Sequence, residues 1–181
     1  MILSDRMIKA ARETGDIVIE PFNPKALGTN SYDVHLGDTL LTYRSLDGVI
    51  DARVDNKTDT HLIDSDGFVL QPGILYLGST VEYTETHKHV PFLDGKSSVG
   101  RLGITIHCTA GRGDVLWKGH WTMEIHVIQP VRVYAHMPIA QLIYFETGEV
   151  DVPYDSKASA KYRDGRNKLP QASRMWMNFQ K

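Results

Sequence analysis

Cysteine is almost absent from this chain of 181 residues; Cys108 stands alone. A single thiol cannot close an intramolecular disulfide, nor build a cysteine-rich zinc site. A reducing compartment is consistent with that usage. Long apolar runs are missing as well. No stretch of about 18 apolar residues occurs, so nothing reads as a membrane-spanning helix. The opening MILSDRMIKAARETG is amphipathic and lacks the apolar centre of a signal peptide. There is little net charge, formally −2 at pH 7. It gives no overall pull toward nucleic acid or an anionic membrane, so any polyanion site must come from a local cluster of Lys and Arg. The expectation is a soluble, cytoplasmic, single-domain protein that binds neither nucleic acid nor membrane.

Several catalytic signatures are missing too. The orders G-x-x-x-x-G-K-[ST], G-x-S-x-G and G-x-G-x-x-G do not occur, and no Ser-His-Asp order stands out. Zinc nucleobase deaminases need H-x-E with P-C-x-x-C, which one cysteine cannot supply. His87 and His89 in THKH would share a face of a strand, but two histidines are half a metal site. They are read as surface residues, and no protein ligands to a metal are assigned.

What is present is a succession of strand signals. Ser4 is suited to cap a helix, Asp5 to its first turn, and Gly15 to its end; Met7, Ile8 and Ala11 share one face, which predicts a short helix over residues 5–14. After it come DIVIEPF, SYDVHLG, TLLTYRS, GFVLQPG, ILYLGSTVEYT, GITIHCTA, WTMEIHVI, VRVYAHM and AQLIYFETG. Each is short, rich in β-branched or aromatic residues, and bounded by turn formers. Such a pattern predicts a mainly β sandwich or barrel, jelly rolls included. A weak internal echo links LQPGILYLGST with VYAHMPIAQLIYFE, as two strand–turn–strand units that would fit two hairpins of a double-sheet fold. Residues 155–174 are polar, basic and poor in large apolar side chains, so they form a tail or an ordering loop. The closing MWMNFQK turns apolar again and is suited to docking, as on a neighbouring subunit.

Three stretches could carry chemistry. In GHWTMEIHV, Trp121, Met123, Ile125 and Val127 alternate with His120, Thr122, Glu124 and His126. A carboxylate at the centre of so apolar a strand marks Glu124 as a candidate acid/base. DGKSSVGRLG (94–103) sets Lys96, Ser97, Ser98 and Arg101 among glycines, a composition that suits phosphate oxygens but also an ordinary polar turn. HCTAGRGDVLW (107–117) places Arg112 and Asp114 in a glycine-rich loop just before the Glu124 strand.

Taken together and in order, these stretches resemble the dCTP deaminase branch of the dUTPase-like superfamily. The family pattern is G-[KR]-S-S-x-x-R-L-G, then H-x-T-A-x-x-x-D-x-x-[WF]-x-G, then a strand with a central Glu. MILSDRMI, TNSYDVHLG, MPIAQLIYF, PYDSKASAKYR and QASR match further, so the likeness spans nearly the whole chain. The resemblance implies a distorted jelly-roll β-barrel over residues 1–154, with a C-terminal tail over 155–181 that orders across the active site. It also implies a homotrimer with shared sites, and zinc-independent hydrolysis of dCTP to dUTP and ammonia, with Mg²⁺ carried on the triphosphate. By the same resemblance Glu124 is the proton shuttle. Ser97 and the Ala110 backbone hold the attacking water, Arg101 supports the reacting centre, and Arg112 contributes to catalysis. Asp114 lies near the deoxyribose. Lys96 and Ser98 form the phosphate turn, and Tyr154 and Lys161 close over base and triphosphate.

The chemistry fits those roles. Water attacks C4 of cytosine, N3 gains a proton, and ammonia leaves with another; one carboxyl group can take the first proton and deliver the later ones. With no metal to acidify it, the water must be held by neighbours. The departures from the family pattern point both ways. Gly111 and Gln141 resemble bifunctional members, which continue through dUTP to dUMP and pyrophosphate, whereas Arg112 resembles strict deaminases, and Gly113 stands where Ile is usual. The tail glutamine that the resemblance implies for the triphosphate clamp, expected soon after KYR, is out of register, leaving Gln171 further on as the candidate. Three readings follow: a dUTP-forming deaminase, taken first; a dUMP-forming bifunctional enzyme; and a nucleotide-binding regulator that has lost turnover.

Overall fold

A computed structural model describes residues 1–45, 48–106, 110–163 and 165–180. The first element is the predicted helix, α1 (Asp5–Glu13). The Ser4 side chain accepts from the Met7 N–H at 3.4 Å, Ile8 and Ala11 are buried, and Gly15 follows in the left-handed region at φ +78°.

Ten strands follow: β1 (Ile17–Glu20), β2 (Tyr32–Tyr43), β3 (Thr58–Leu62), β4 (Phe68–Leu70), β5 (Tyr76–Thr86), β6 (His89–Gly95), β7 (Ile104–Ile106), β8 (Lys118–Val127), β9 (Val131–Val133) and β10 (Pro138–Glu146). One turn of helix, α2 (Ser97–Gly100), separates β6 from β7. The main sheet runs β6-β10-β2-β5-β8-β7, with β1 added to β5 and β3 added to β2. The two long strands change neighbours along their length. Residues 32–35 of β2 pair with β10, whereas residues 39–43 pair with β3. Residues 76–80 of β5 pair with β2, whereas residues 83–86 pair with β1. Register shifts between Leu36 and Leu40, and between Ser79 and Tyr83, mark the bends where this happens. The sheet thereby wraps on itself as the predicted jelly-roll barrel, around Tyr32, Leu36, Leu40, Met123, Ile125, Leu142 and Tyr144, all at most 1% exposed. Burying a side chain of this class stabilises by about 1.5–3 kcal/mol.

The structure corrects three expectations. SYDVHLG and TLLTYRS are one strand of twelve residues, because the chain runs on through Gly37 and Asp38 across a register shift between Leu36 and Leu40. The strands β3 and β6 lay hidden in TDTHL, which is too polar for an alternation signal, and in HVPFLDG, whose run is interrupted by Pro91. The echoed segments are not hairpins. Their short first strands, β4 and β9, pair with each other through Phe68 and Val133, while their second strands, β5 and β10, flank β2. The strand expected over GITIHCTA is observed for Ile104–Ile106, and residues 107–109 lie outside the described set.

A buried charge is fully partnered at the β5 bend. Glu82 is 2% exposed, and its carboxylate accepts from the His35 N–H at 2.9 Å and from the His35 Nδ1 at 2.6 Å. Two donors on one carboxylate offset the cost of removing it from water. Among the described residues, no helix is long and apolar enough to cross a membrane.

Candidate active site

Strand β8 supplies the floor of a cavity of about 620 Å³. Its alternation holds at the centre of the strand, where Met123 and Ile125 are fully buried in the barrel while Thr122 and Glu124 are half-buried and line the cavity, but Trp121, expected on the packing face, lines the cavity and His126 does not. Leu77, the cross-strand partner of Glu124 on β5, lines it too, as does Tyr43 from the end of β2. His120 is 8% exposed. Its Nδ1–H donates to the Thr80 carbonyl at 3.0 Å, and burial pushes the ring's pKa below its ordinary value. The cavity wall therefore carries a neutral imidazole at neutral pH.

The loop before β8 forms one side. Residues 111–113 are zipped antiparallel onto β6: the Leu93 N–H donates to the Gly111 carbonyl at 2.7 Å, and the Gly113 N–H to the Pro91 carbonyl at 2.8 Å. A Cβ on Gly111 would stand 2.3 Å from the Leu93 carbonyl oxygen. The close approach, not a turn, is what requires glycine there. This pinning brings Ala110, Arg112 and Asp114 onto the cavity wall. Asp114 is held by Lys157 at 3.0 Å.

The tail forms the roof. Its polar composition forbids a core of its own, so it is fixed by hydrogen bonds to the barrel and to itself. The Tyr154 N–H donates to the Val115 carbonyl at 3.1 Å, and Tyr162 N–H to the Tyr154 hydroxyl at 3.1 Å. Arg174 N–H donates to the Tyr162 hydroxyl at 3.1 Å, and Ser173 N–H to the Tyr43 hydroxyl at 2.8 Å. Gln171 N–H donates to Thr122 Oγ1 at 3.0 Å, and Ser79 Oγ donates to the Lys168 carbonyl at 2.6 Å. Arg166 lies 4.9 Å from the centre of the Tyr83 ring. Burial raises the pKa of Tyr43, so its hydroxyl keeps its proton.

The structure thus divides the predicted residues. Glu124, Ala110, Arg112, Asp114, Tyr154 and Gln171 meet at one cavity. Lys96, Ser97, Ser98 and Arg101 do not line it. They belong to the α2 turn, where Ser97, Ser98 and Arg101 are exposed and Lys96 pairs with Asp33 at 2.5 Å. Gln141 sits beside that turn, with its Nε2 donating to the Gly95 carbonyl at 3.3 Å. Lys161 does not line the cavity; its carbonyl accepts from the Arg174 guanidinium. His107 and Thr109 of the family pattern lie outside the described residues. His87 is exposed and bonded to Glu85 at 3.1 Å. Among the described residues, no three His, Cys, Asp or Glu side chains gather where a metal ion could be held. Sequence reasoning missed Tyr43, Lys157 and Tyr162. Nothing local distinguishes them, since each acts on the site only through the fold.

Comparison with known proteins converges on one family. The family model described as dCTP deaminase-like matches residues 2–147. A Clostridium acetobutylicum protein named "dCTP deaminase, dUMP-forming" is 46% identical over 99% of both chains. A Cytophaga hutchinsonii protein of the same name is 41% identical over 100% of both. The solved 2′-deoxycytidine 5′-triphosphate deaminase from Agrobacterium tumefaciens superposes with a TM-score of 0.64 at 18% identity. That match covers 83% of this chain but 49% of the longer one, and speaks for the fold alone. The barrel, the Glu124 strand and near-full-length identity together place the chain in the dCTP deaminase-like family of hydrolases.

Proposed function

We propose that the protein converts dCTP, taken as its magnesium complex, to dUMP, pyrophosphate and ammonia. The observation that carries this reading is the cavity in which Glu124, Arg112 and Asp114 meet beneath the tail. The dUMP-forming names of the full-length relatives favour the two-step outcome over the dUTP-releasing one expected first from sequence. Gly111 points the same way. Any side chain there would press on the Leu93 carbonyl, whose oxygen would stand 2.3 Å from its Cβ.

In the first step water adds to C4 of cytosine. Glu124 takes the water's proton and passes it to N3, and a later proton accompanies ammonia as it leaves. In the second step water cleaves between the α- and β-phosphates, leaving dUMP and pyrophosphate. In this reading Asp114, which pairs with Lys157, accepts from the sugar hydroxyl. The tail excludes bulk water above the reacting base. Mg²⁺ arrives on the triphosphate, as is usual for this ion.

A single chain leaves Ser97, Ser98 and Arg101 facing solvent. In this reading a second copy in a homotrimer carries its α2 turn to the open side of the cavity, where Ser97 and Arg101 reach the attacking water and Lys96 and Ser98 the phosphates. Lys96 then exchanges Asp33 for a phosphate oxygen.

Incubation with dCTP and Mg²⁺, followed by nucleotide separation, tests the proposal. Accumulating dUMP with equal pyrophosphate and ammonia is expected, while accumulating dUTP would return the reading to a deaminase alone. Glu124→Gln should lower deamination by roughly 10²–10⁴-fold, the span of general acid–base catalysis, with nucleotide binding retained. Near-normal turnover in that variant would remove Glu124 from the mechanism, and saturable binding without turnover in the wild type would leave the regulator.

A further inference from the structure

A dUMP-forming enzyme must hold cytosine first and uracil second in one cavity, and the inference that follows rests on that reading. The two bases differ along one edge. Cytosine offers an amino donor at C4 and an acceptor at N3; uracil offers a carbonyl acceptor at C4 and an N–H donor at N3. A carboxylate or a cation suits one of these patterns. A carboxamide suits both, because a half-turn exchanges its acceptor oxygen for its donor nitrogen.

Among the described residues that line the cavity, Gln171 is the only one with an amide side chain. Its backbone N–H is tied to Thr122 Oγ1 at 3.0 Å. Thr122 is two residues before Glu124 on the same face of β8, so Gln171 is anchored beside the proton shuttle. Its Oε1 is buried and has no hydrogen-bond partner. No hydrogen bond to Oε1 holds the amide in one orientation. Such an orphaned carbonyl is costly in an empty site, and the cost is removed when a donor arrives.

We propose that Gln171 reads the variable edge of the pyrimidine, presenting Oε1 to the amino group of cytosine and, after a half-turn of the amide, Nε2 to the O4 carbonyl of uracil. It is a specificity residue common to both half-reactions, supplied by the tail. The role differs from the triphosphate clamp that the resemblance suggested for a tail glutamine.

Two variants test it, with kcat and KM measured separately from dCTP and from dUTP. Gln171→Leu removes both hydrogen-bonding modes and should raise both KM values by roughly tenfold to a hundredfold, the span of one unsatisfied buried polar contact. Gln171→Glu keeps an acceptor and loses the donor. It should raise the dUTP KM by about tenfold or more relative to dCTP, and this gap should shrink at lower pH as the new carboxyl gains a proton and with it a donor. Equal shifts for the two nucleotides in Gln171→Glu, or unchanged KM values in Gln171→Leu, would overturn the proposal. Wild-type protein that converts neither nucleotide refutes the functional reading itself. Wild-type protein that converts both, with the two KM values moving together in Gln171→Glu, refutes only the role of Gln171.

Discussion

Gly165→Ala is the sharpest perturbation of the tail. Gly165 lies on the backbone of β8, and an added Cβ would stand 2.5 Å from the Lys118 carbonyl oxygen and 3.1 Å from its carbon. Ordinary contact begins near 3.4 Å. Backbone in a paired strand cannot yield, so the tail must lift by about 1 Å, a displacement comparable to the whole range of a good contact. The contacts beside Gly165 go with it: the Ser79–Lys168 hydrogen bond and the Arg166–Tyr83 stacking. The first contributes about 1 kcal/mol net, and the second about 0.5–1 kcal/mol at an exposed site. Together they amount to about 2 kcal/mol, or roughly a thirtyfold shift from docked to undocked tail. The barrel core is untouched, so the melting temperature should stay close to that of the wild type. Limited trypsin cleavage at the basic residues of the tail should accelerate by up to that factor, because cleavage follows the undocked population when opening is fast. The kcat/KM for dCTP should fall in parallel. If cleavage accelerates while kcat/KM is unchanged, the roof has no part in catalysis. If neither changes, the contact of Gly165 with β8 does not hold the tail.

Two further outcomes are expected. Glu124→Gln and Arg101→Ala should each be inactive alone, yet co-expressed copies should regain dCTP turnover, since a site made of two chains can take Glu124 from one and Arg101 from the other. Mixed assemblies that form but stay inactive would mean that each site is built from a single chain. The buried His120 has its pKa lowered from 6.5 in the fold. Below about pH 6.5 the unfolded chain takes up a proton that the folded protein resists. Stability from this group is therefore complete above that pH and declines as pH falls through the window beneath it. His120→Gln should flatten that part of the curve of melting temperature against pH, and an unaltered slope would show that the dependence arises elsewhere.

The sequence by itself determined the helix at Asp5, the β class, the packing of Met123 and Ile125 on β8 and the place of Glu124 on the opposite face of that strand. These follow from periodicity and turn chemistry, which are local and written in consecutive residues. It also marked residues 155–174 as unable to pack a core, which is why they are available to cover a cavity. Only the tertiary structure decided that β2 is a single strand, because a bulge interrupts the alternation that a sequence pattern must rely on. Only the tertiary structure separated the two sets of motif residues, gathering Glu124, Arg112 and Asp114 at the cavity and leaving the α2 turn outside it. Tyr43, Lys157, Tyr162 and the orphaned Oε1 of Gln171 were invisible in the same way. Their contribution comes from pairings across β2, β5, β8 and the tail. Such pairings depend on which distant backbones the barrel brings together, and no local pattern encodes that.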